Sequence, residues 1–450
     1  MMAIQVRDVV TWTGAIAEKV DLSQPIRGIT IDSRTVEPGS LFVALPGSRQ
    51  HGHDFLEEVW RRGGVALVED SYAGRGGALL RTPSPLEALD QMMKSAIKAN
   101  KVQVVGVTGS VGKTSVKELT HQVLASRYVT GYSHGNYNTA IGLPLSFFEE
   151  PPTMTWFVAE MAMRQLGEIY RLTQMAPPRV AAITNIGLSH LEQLGSIERI
   201  QRAKGEILEG MPRGGVAVLN ADDPLVRELG QRTHHPVRWY GQAPDAELRI
   251  LDAALEGDGT RIQLSFEGQT HILNLPWVGV HQSYNAAAAL LIGIEVGIPL
   301  DQGIAALAQV DPSRSRILPH RLGTLTLIED AYNASPSSMR AALEVLKSYP
   351  GRKIAVLGDM LELGSAETAG HQEVGVFAHS VADWVVGVGP LSRGLVDAAG
   401  THATHQDSID DAFEWLTRNL VPGDVVLLKA SRGMRFEDLI GKIKGWGGPQ

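Results

Sequence analysis

The sequence contains no cysteine among its 450 residues, which excludes disulfides and thiolate metal ligands and fits a reducing compartment. Basic residues are outnumbered, with 41 Lys and Arg against 49 Asp and Glu, so a nucleic-acid partner is not expected. No run of eighteen apolar residues is available to span a membrane. The first eighteen residues carry scattered charges rather than the apolar core of a signal peptide. We therefore expect a cytoplasmic protein that does not insert into a membrane.

Strands and helices alternate along most of the chain, whose length alone predicts two to four domains. Residues 1–82 combine short strand patterns with a helical segment and predict a small mixed α/β domain, ending at Thr82-Pro83-Ser84-Pro85. Residues 83–312 carry short apolar strands followed by helices, the pattern of a doubly wound parallel sheet of the P-loop ATPase type. Residues 313–450 repeat this pattern and predict a Rossmann-like domain that lacks a dinucleotide fingerprint.

The stretch from Val102 to Ser115 has the pattern of a phosphate-binding loop between an apolar strand and an amphipathic helix. Gly109 and Gly112 allow the backbone to wrap phosphates, Lys113 can reach the terminal ones, and a hydroxyl at position 114 or 115 can hold magnesium. The general pattern places glycine at position 107, where this chain has Val107. The residues assigned to ATP binding here are Thr108, Gly109, Ser110, Val111, Gly112, Lys113, Thr114 and Ser115.

Polar residues that follow the next strands are candidates for chemistry, because ligands of such sheets bind beyond the carboxyl ends of the strands. Glu160 directly follows a strand and could share the magnesium of the phosphate loop, or it is a solvated loop acid. His190 follows the next strand, although a single histidine is more often structural. On its pattern alone, Lys204 is a surface lysine of a helix.

The last domain and the first domain offer further candidates. Asp330 and Asn333 follow the first strand of the last domain and are free for function, whereas Ser335 is explained as a helix N-cap with proline at the next position. His51 and His53 are close in sequence, but no third ligand is placed convincingly beside them. We therefore do not predict a zinc site there.

These motifs, in this order and over nearly the whole chain, resemble the Mur ligase family of ATP-dependent peptidoglycan precursor ligases. The segments that carry the resemblance are Asp32-Ser33-Arg34, Gly39-Ser40-Leu41-Phe42-Val43-Ala44, Gly52-His53-Asp54-Phe55, Gly135-Asn136-Tyr137-Asn138, Ile141-Gly142-Leu143-Pro144, Glu160-Met161, His190-Leu191-Glu192, Gly195-Ser196, Ala203-Lys204-Gly205-Glu206-Ile207, Tyr332-Asn333-Ala334-Ser335-Pro336, Leu357-Gly358-Asp359-Met360 and Glu362-Leu363-Gly364.

The resemblance implies catalytic roles for residues of the central domain. Lys113 would grip the β and γ phosphates of ATP, and Thr114 and Glu160 would hold one Mg²⁺. His190 would help to bind a second Mg²⁺. Lys204 matches the lysine that the family carbamylates with carbon dioxide, so that a carboxylate-like group supports the second metal. This expectation replaces the interpretation of Lys204 as a surface residue.

The resemblance also implies nucleotide contacts outside the phosphate loop. Asn285 matches an adenine contact, and Asp330 matches a nucleotide contact from the last domain. An arginine just after the domain junction is expected to reach the nucleotide, and counting back from Asp330 places it at Arg316, with Arg314 as the alternative. Closure of the last domain would deliver both groups and exclude water, so we predict a hinge at residues 311–314.

Substrate contacts are implied in the first two domains and in the last. Ile31 and Ser33 fall where related ligases hold the uracil of a UDP substrate. The chain departs from the family where it has Thr139 in place of a second asparagine and Gln282 after His281. The other residues assigned to substrate binding are Asn136, Asn138, Thr139, Asn333 and Ser337.

Within the family, the resemblance is to members that join D-alanyl-D-alanine to UDP-N-acetylmuramoyl-tripeptide through an acyl phosphate. The implied cofactors are ATP and two Mg²⁺, and we expect a bacterial, monomeric enzyme. One alternative is a family member that adds the third amino acid, but the Asp-Asn-Pro-Arg sequence common in that ligase is absent and residues 387–393 occupy the region. A non-catalytic ATP-dependent switch is a second alternative, although it would have no need of His190 and Lys204.

Overall fold

The computed structural model describes residues 2–47 and 50–449. Within these residues the strands form a five-stranded sheet near the N-terminus, a nine-stranded sheet in the centre, a six-stranded sheet near the C-terminus and a separate two-stranded pair. Helices cover the sheets, so the predicted α/β fold with three domains is confirmed. No helix in this part of the chain is both long and apolar enough to cross a bilayer.

The N-terminal sheet has the order β2-β7-β6-β5-β4, with β2 antiparallel to β7 and the other neighbours parallel. Strands β1 and β3 form the separate pair. The strands are β1 (Ile4–Gln5), β2 (Ile16–Glu18), β3 (Pro25–Ile26), β4 (Gly28–Thr30), β5 (Ser40–Val43), β6 (Val65–Glu69) and β7 (Leu79–Thr82), and the helices are α1 (Val6–Thr13) and α2 (Leu56–Arg61). Helix α3 (Pro85–Ala99) follows, and Ser84 caps its N-terminus with proline at the first position.

The central sheet has the order β16-β15-β14-β13-β12-β11-β8-β10-β9. Its strands are β8 (Gln103–Thr108), β9 (Thr130–Tyr132), β10 (Trp156–Glu160), β11 (Val180–Ile183), β12 (Val216–Asn220), β13 (Val237–Gly241), β14 (Leu248–Glu256), β15 (Gly259–Phe266) and β16 (Gln269–Leu275). Its helices are α4 (Lys113–Ala125), α5 (Gly142–Glu149), α6 (Glu168–Met175), α7 (Leu191–Leu194), α8 (Ile197–Glu209), α9 (Pro224–Arg232), α10 (Gln282–Glu295) and α11 (Leu300–Leu307). Strand β8 is almost wholly buried between β10 and β11, so the loop after it is held at the middle of the sheet edge.

Strands β14, β15 and β16 form an antiparallel ribbon at one end of the central sheet, which the sequence pattern did not predict. The seven strands β8 to β14 are parallel as predicted. The turn between β15 and β16 places Glu267 and Gly268 at φ 50° and 78°, the left-handed conformation that tight hairpin turns require. The central sheet is therefore mixed rather than purely parallel.

The C-terminal sheet has the order β17-β18-β22-β19-β20-β21, parallel except for the edge strand β17. The strands are β17 (Leu318–Leu322), β18 (Leu325–Asp330), β19 (Lys353–Gly358), β20 (Trp384–Val388), β21 (Ala403–Gln406) and β22 (Val425–Lys429), and the helices are α12 (Pro336–Ser348), α13 (Glu367–His379), α14 (Arg393–Ala399), α15 (Ile409–Asn419) and α16 (Phe436–Trp446). Ser335 caps α12 and Pro336 is its first residue, which confirms the predicted helix start.

Apolar packing crosses from the central part of the chain to the C-terminal part. Val278 belongs to the buried cluster beneath α12, and Leu255 of the ribbon packs against the same cluster. At the ribbon tip, the Tyr349 hydroxyl donates a hydrogen bond to Asp258 over 3.2 Å. At the same end of the ribbon, the indole N–H of Trp277 donates to the carbonyl of Asp311 at 3.0 Å, so this end also contacts the segment that joins the two sheets.

Candidate active site

A cavity of about 1740 Å³ lies where the three sheets face one another. The first sheet contributes its edge around Ile31, the central sheet contributes the phosphate loop, and the C-terminal sheet contributes the ends of β18 and β22. Such a volume exceeds that of an ordinary single-ligand pocket of roughly 300–1,000 Å³. The cavity therefore has room for a nucleotide together with a second large ligand.

The phosphate loop is held from beneath by the end of β11. The amide N–H groups of Ser110 and Val111 donate to the backbone and side-chain oxygens of Asn185, each at 2.9 Å. The carbonyl of Val111 accepts hydrogen bonds from the Thr184 hydroxyl at 2.5 Å and from the Asn185 amide at 2.9 Å. The loop is thus already shaped before any anion binds, which lowers the cost of ordering it.

Lys113 opens helix α4 and folds back over the loop. Its ammonium donates to the carbonyls of Gly109 at 2.8 Å and Ser110 at 3.1 Å. Removal from water lowers the pKa of Lys113, and the nearby Arg316 lowers it further, whereas Glu160 acts in the opposite direction. The ammonium therefore lies at the mouth of the anion-binding loop, where a phosphate can take over its two hydrogen bonds.

Gly109 is required by close packing beneath the loop. Its φ is +148°, and a Cβ added there would lie 1.9 Å from the Thr184 hydroxyl oxygen. We expect Gly109→Ala to weaken ATP binding about 10- to 100-fold, because overpacking of this kind costs about 1–3 kcal/mol and displaces the loop. Titration calorimetry with ATP measures the change. Gly214→Ala is the control, because Gly214 also has a positive φ but nothing lies within 4 Å of its added Cβ; equal losses in both variants would contradict the prediction.

Glu160 ends β10 beside the phosphate loop and is only 3% exposed. Its Oε1 accepts a hydrogen bond from the Asn138 side-chain amide at 2.8 Å. Its Oε2 is buried and has no hydrogen-bond partner. An unpartnered buried carboxylate oxygen is costly, so Glu160 is suited to bind a cation.

His190 lies just before α7 with a left-handed backbone, at φ 66°. Burial lowers the pKa of His190 to about 4, together with the positive charges of Lys113, Lys204 and Arg164. Its Nδ1 lies 3.0 Å from an oxygen of Glu362 but is not aligned for a hydrogen bond with it. We conclude that the imidazole is neutral, which is the form that binds metals.

Lys204 lies in α8 and is 2% exposed, so the surface position that its pattern alone indicated is wrong. Burial lowers the pKa of the Lys204 ammonium well below its usual range, and the charge of Lys113 lowers it further. Lys204 does not form part of the cavity wall. Both effects favour the neutral amine over the ammonium, and the neutral amine is a nucleophile.

The C-terminal part of the chain brings a cation to the phosphate loop. Arg316 donates from Nη2 to the Thr114 hydroxyl at 3.0 Å, and its guanidinium lies 3.5 Å above the centre of the Tyr332 ring. Arg314 instead pairs with Glu118 at 3.2 Å, outside the main cavity. Of the two candidate arginines, the structure thus places Arg316 on the cavity wall.

Asp330 ends β18 on the cavity wall, where it is 7% exposed. The Lys429 ammonium at the end of β22 donates to the Asp330 carboxylate at 2.7 Å and to the carbonyl of Asn333 at 2.8 Å. On the opposite wall, Asn285 donates to the side-chain oxygen of Gln282 at 2.8 Å, and a Cβ on Gly112 would lie 2.7 Å from the Asn285 oxygen. Asp330 and Asn285 thus face the cavity from different domains.

The residues assigned to substrate binding mostly line the same cavity. Ile31 is 42% exposed on the wall, whereas Ser33 is 7% exposed and does not form part of it. Thr108 and Gly109, which were assigned to ATP binding, likewise do not form part of the cavity wall. The other assigned residues that line it are Asn136, Asn138, Thr139, Asn333 and Ser337.

A phosphate loop in one domain, faced by charged groups of a domain that follows in the chain, suits an ATP-dependent ligase, and the comparisons with known proteins place the chain in this class. Three family models together match most of it: "Mur ligase family, catalytic domain" over residues 25–108, "Mur ligase middle domain" over residues 107–293, and "Mur ligase, glutamate ligase domain" over residues 314–432. The chain belongs to the Mur ligase family.

Individual relatives resemble the chain over almost its full length. The UDP-N-acetylmuramoyl-tripeptide–D-alanyl-D-alanine ligase of Bacillus subtilis is 35% identical over 92% of both chains. A crystal structure of MurF from Acinetobacter baumannii has a TM-score of 0.92 and 26% identity, covering 99% of both chains. MurF from Thermotoga maritima in complex with ADP has a TM-score of 0.86 and 29% identity, covering 94% of this chain and 98% of that chain.

Proposed function

We propose that this protein joins D-alanyl-D-alanine to UDP-N-acetylmuramoyl-tripeptide at the expense of ATP. The observation that carries the proposal is the shared cavity, in which the phosphate loop, the unpartnered Glu160 oxygen and groups of all three sheets meet. The Bacillus subtilis relative carries this activity in its name and matches 92% of the chain. The volume of about 1740 Å³ accommodates both a nucleotide and a nucleotide-linked peptide.

ATP would bind with its phosphates on the loop at residues 109–115. Lys113 would leave the carbonyls of Gly109 and Ser110 to contact the terminal phosphates. Asn285 would face the adenine, while Arg316 and Asp330 would approach the nucleotide from the C-terminal part of the chain. The ADP complex of the Thermotoga maritima relative supports nucleotide binding in this fold.

The residues present fit magnesium. Glu160 offers a buried oxygen without a partner, and the neutral His190 offers a ring nitrogen on the cavity wall. Thr114 adds a hydroxyl at the start of α4. We propose that Thr114 and Glu160 hold one Mg²⁺ and that His190 helps to hold a second, where the metals would neutralise charge on the transferring phosphoryl group.

Lys204 would supply the carboxylate that this site lacks. Within residues 2–47 and 50–449, no three His, Asp or Glu side chains are grouped closely enough to hold a metal ion. The neutral form of the Lys204 amine can attack carbon dioxide to give a carbamate with loss of one proton, which replaces a neutral side chain by an anionic one. We propose that this carbamate completes the second magnesium site next to His190.

The reaction would proceed in two steps within the closed cavity. The terminal carboxylate of the tripeptide attacks the γ-phosphorus of ATP, so that an acyl phosphate forms and ADP leaves. The amine of D-alanyl-D-alanine then attacks the acyl carbon, and phosphate leaves as the amide forms and the amine loses a proton. Lys113 would hold the γ-phosphate in line for the first step, and closure by the C-terminal part would exclude water from the acyl phosphate.

Phosphate release from ATP tests the proposal directly. We expect release only when UDP-N-acetylmuramoyl-tripeptide and D-alanyl-D-alanine are both present, with a product mass that matches the joined substrates. Varying the third residue of the tripeptide would identify the natural acceptor. ATP turnover without either substrate, or product formation only from the dipeptide precursor and a single amino acid, would contradict the proposal. A cytoplasmic location, a monomeric state and the domain limits at residues 82 and 312 stay predictions.

A further inference from the structure

Residues 361–366, which we call the docking segment, connect the end of β19 to α13 and contact the loop that carries His190. The segment contains the Glu362-Leu363-Gly364 motif, which has no part in the reaction proposed above. The Glu192 N–H donates to the carbonyl of Glu362 at 3.3 Å, and the Glu362 carboxylate approaches His190 Nδ1 to 3.0 Å. One residue of the C-terminal part thus contacts two residues of the central part.

The contact is fixed by backbone geometry on both sides. Glu362 and His190 both have φ 66°, a conformation that non-glycine residues adopt only when their surroundings impose it. Leu363, next to Glu362, is 1% exposed in the C-terminal core and anchors the segment there. The backbone of Glu362 is consequently held beside His190 by its own domain.

Gly364 allows the two backbones to approach. Its φ is +51°, and a Cβ added there would lie 2.9 Å from the Glu192 Cα. Because that neighbour is backbone, it cannot move aside as a flexible side chain would. Two residues further on, Ala366 packs against the core shared by the N-terminal and central parts. The docking segment is therefore shaped to fit the surface around His190.

We propose that Glu362 is a positioning residue, which docks the C-terminal part of the chain onto the His190 loop and so orients His190 for its metal only in the closed enzyme. The Glu362 side chain is 42% exposed, so water can replace its contacts when the segment separates. Docking and metal binding would then be coupled through one side chain. The effect on catalysis rests on the proposed role of His190, whereas the docking itself does not.

The distance between the two parts tests the docking. The chain has no cysteine, so cysteines introduced at the exposed positions Glu209 and Lys347 would carry the only spin labels. We expect Glu362→Ala and Gly364→Ala to shift and broaden the distance distribution measured by electron paramagnetic resonance. Glu373→Ala is the control for the carboxylate, since Glu373 pairs at 3.0 Å with Arg340 inside the C-terminal part. Gly423→Ala is the control for the positive φ, because nothing lies within 4 Å of its added Cβ.

The magnesium requirement tests the coupling. We expect Glu362→Ala to raise the Mg²⁺ concentration for half-maximal activity at least fivefold, and Glu362→Gln, which keeps a side-chain oxygen, to recover most of the loss. An unchanged distance distribution in both docking variants overturns the proposal, as does an unchanged Mg²⁺ requirement in Glu362→Ala. If the unmodified protein has no ligase activity, the proposed function fails, while the distance measurement still decides whether Glu362 docks the segment.

Discussion

Replacing Lys204 with alanine is expected to lower kcat about 1000-fold or more, because a metal-supporting anion contributes several kcal/mol to charge stabilisation in the transition state. The buried position and the lowered pKa of Lys204 both favour the neutral amine that reacts with carbon dioxide. Removal of the side chain leaves space for a small anion. Formate or acetate is therefore expected to restore part of the activity of Lys204→Ala, measured as phosphate release that depends on both substrates.

The rescue has a matched control. Lys347→Ala removes an exposed lysine of α12 and is expected to retain full activity with no response to formate. Sodium chloride at equal ionic strength should restore nothing in either variant. If the kcat of Lys204→Ala is within tenfold of that of the unmodified protein, the carbamate proposal is wrong. It is also wrong if formate restores no more activity than chloride does. Mass spectrometry under carbon dioxide gives a check independent of activity.

The second large effect is expected for Lys113→Met, with kcat lowered on the order of 100- to 1000-fold. The methionine side chain fills a volume similar to that of the lysine side chain, but it lacks the charge that would neutralise the γ-phosphate during transfer. ATP affinity should change much less than kcat, because Asn185 still holds the loop in shape and the N–H groups at the start of α4 can still bind the phosphates in the ground state. Single-turnover phosphate release, combined with calorimetry, separates the two quantities.

Lys98→Met serves as the control for Lys113→Met, since Lys98 is an exposed residue in the last turn of α3. It is expected to leave both ATP affinity and kcat unchanged. A loss of affinity in Lys113→Met that matches its loss of kcat would mean that Lys113 binds ATP equally in the ground state and in the transition state. The assignment of Lys113 to phosphoryl transfer would then be contradicted.

The parallel strands could be predicted because both of their faces are buried. Strand β8, with Val104, Val105 and Val107, is a continuous apolar run of the kind that a strand buried on both faces requires. The ribbon of β14 to β16 could not be predicted in the same way, because its exposed faces mix polar and apolar residues. The available signals in that region are the glycines of its two turns, Gly257 and Gly268, which have φ 61° and 78°.

The site could be predicted only where a residue follows a strand or matches a motif. Glu160 ends its strand beside the phosphate loop, as its sequence position predicts. Asn185, which supports the loop, was missed although it lies just beyond the end of a strand, which is the same signal. Glu362 could be recognised only as part of a motif, because its contact with His190 joins positions 172 residues apart (362 minus 190). Local pattern carries no information about such a contact.

The apolar packing of Leu255 and Val278 against the cluster beneath α12 bears on how the predicted closure at residues 311–314 would move. Exposing these side chains to water would cost hydrophobic free energy, about 25 cal/mol for each Å² uncovered. The polar contact between Glu362 and His190 carries no comparable penalty, since water can hydrate both groups. We therefore expect the C-terminal part to rotate about its apolar contact with the ribbon, which stays buried. The polar contact at Glu362 would separate during the same movement.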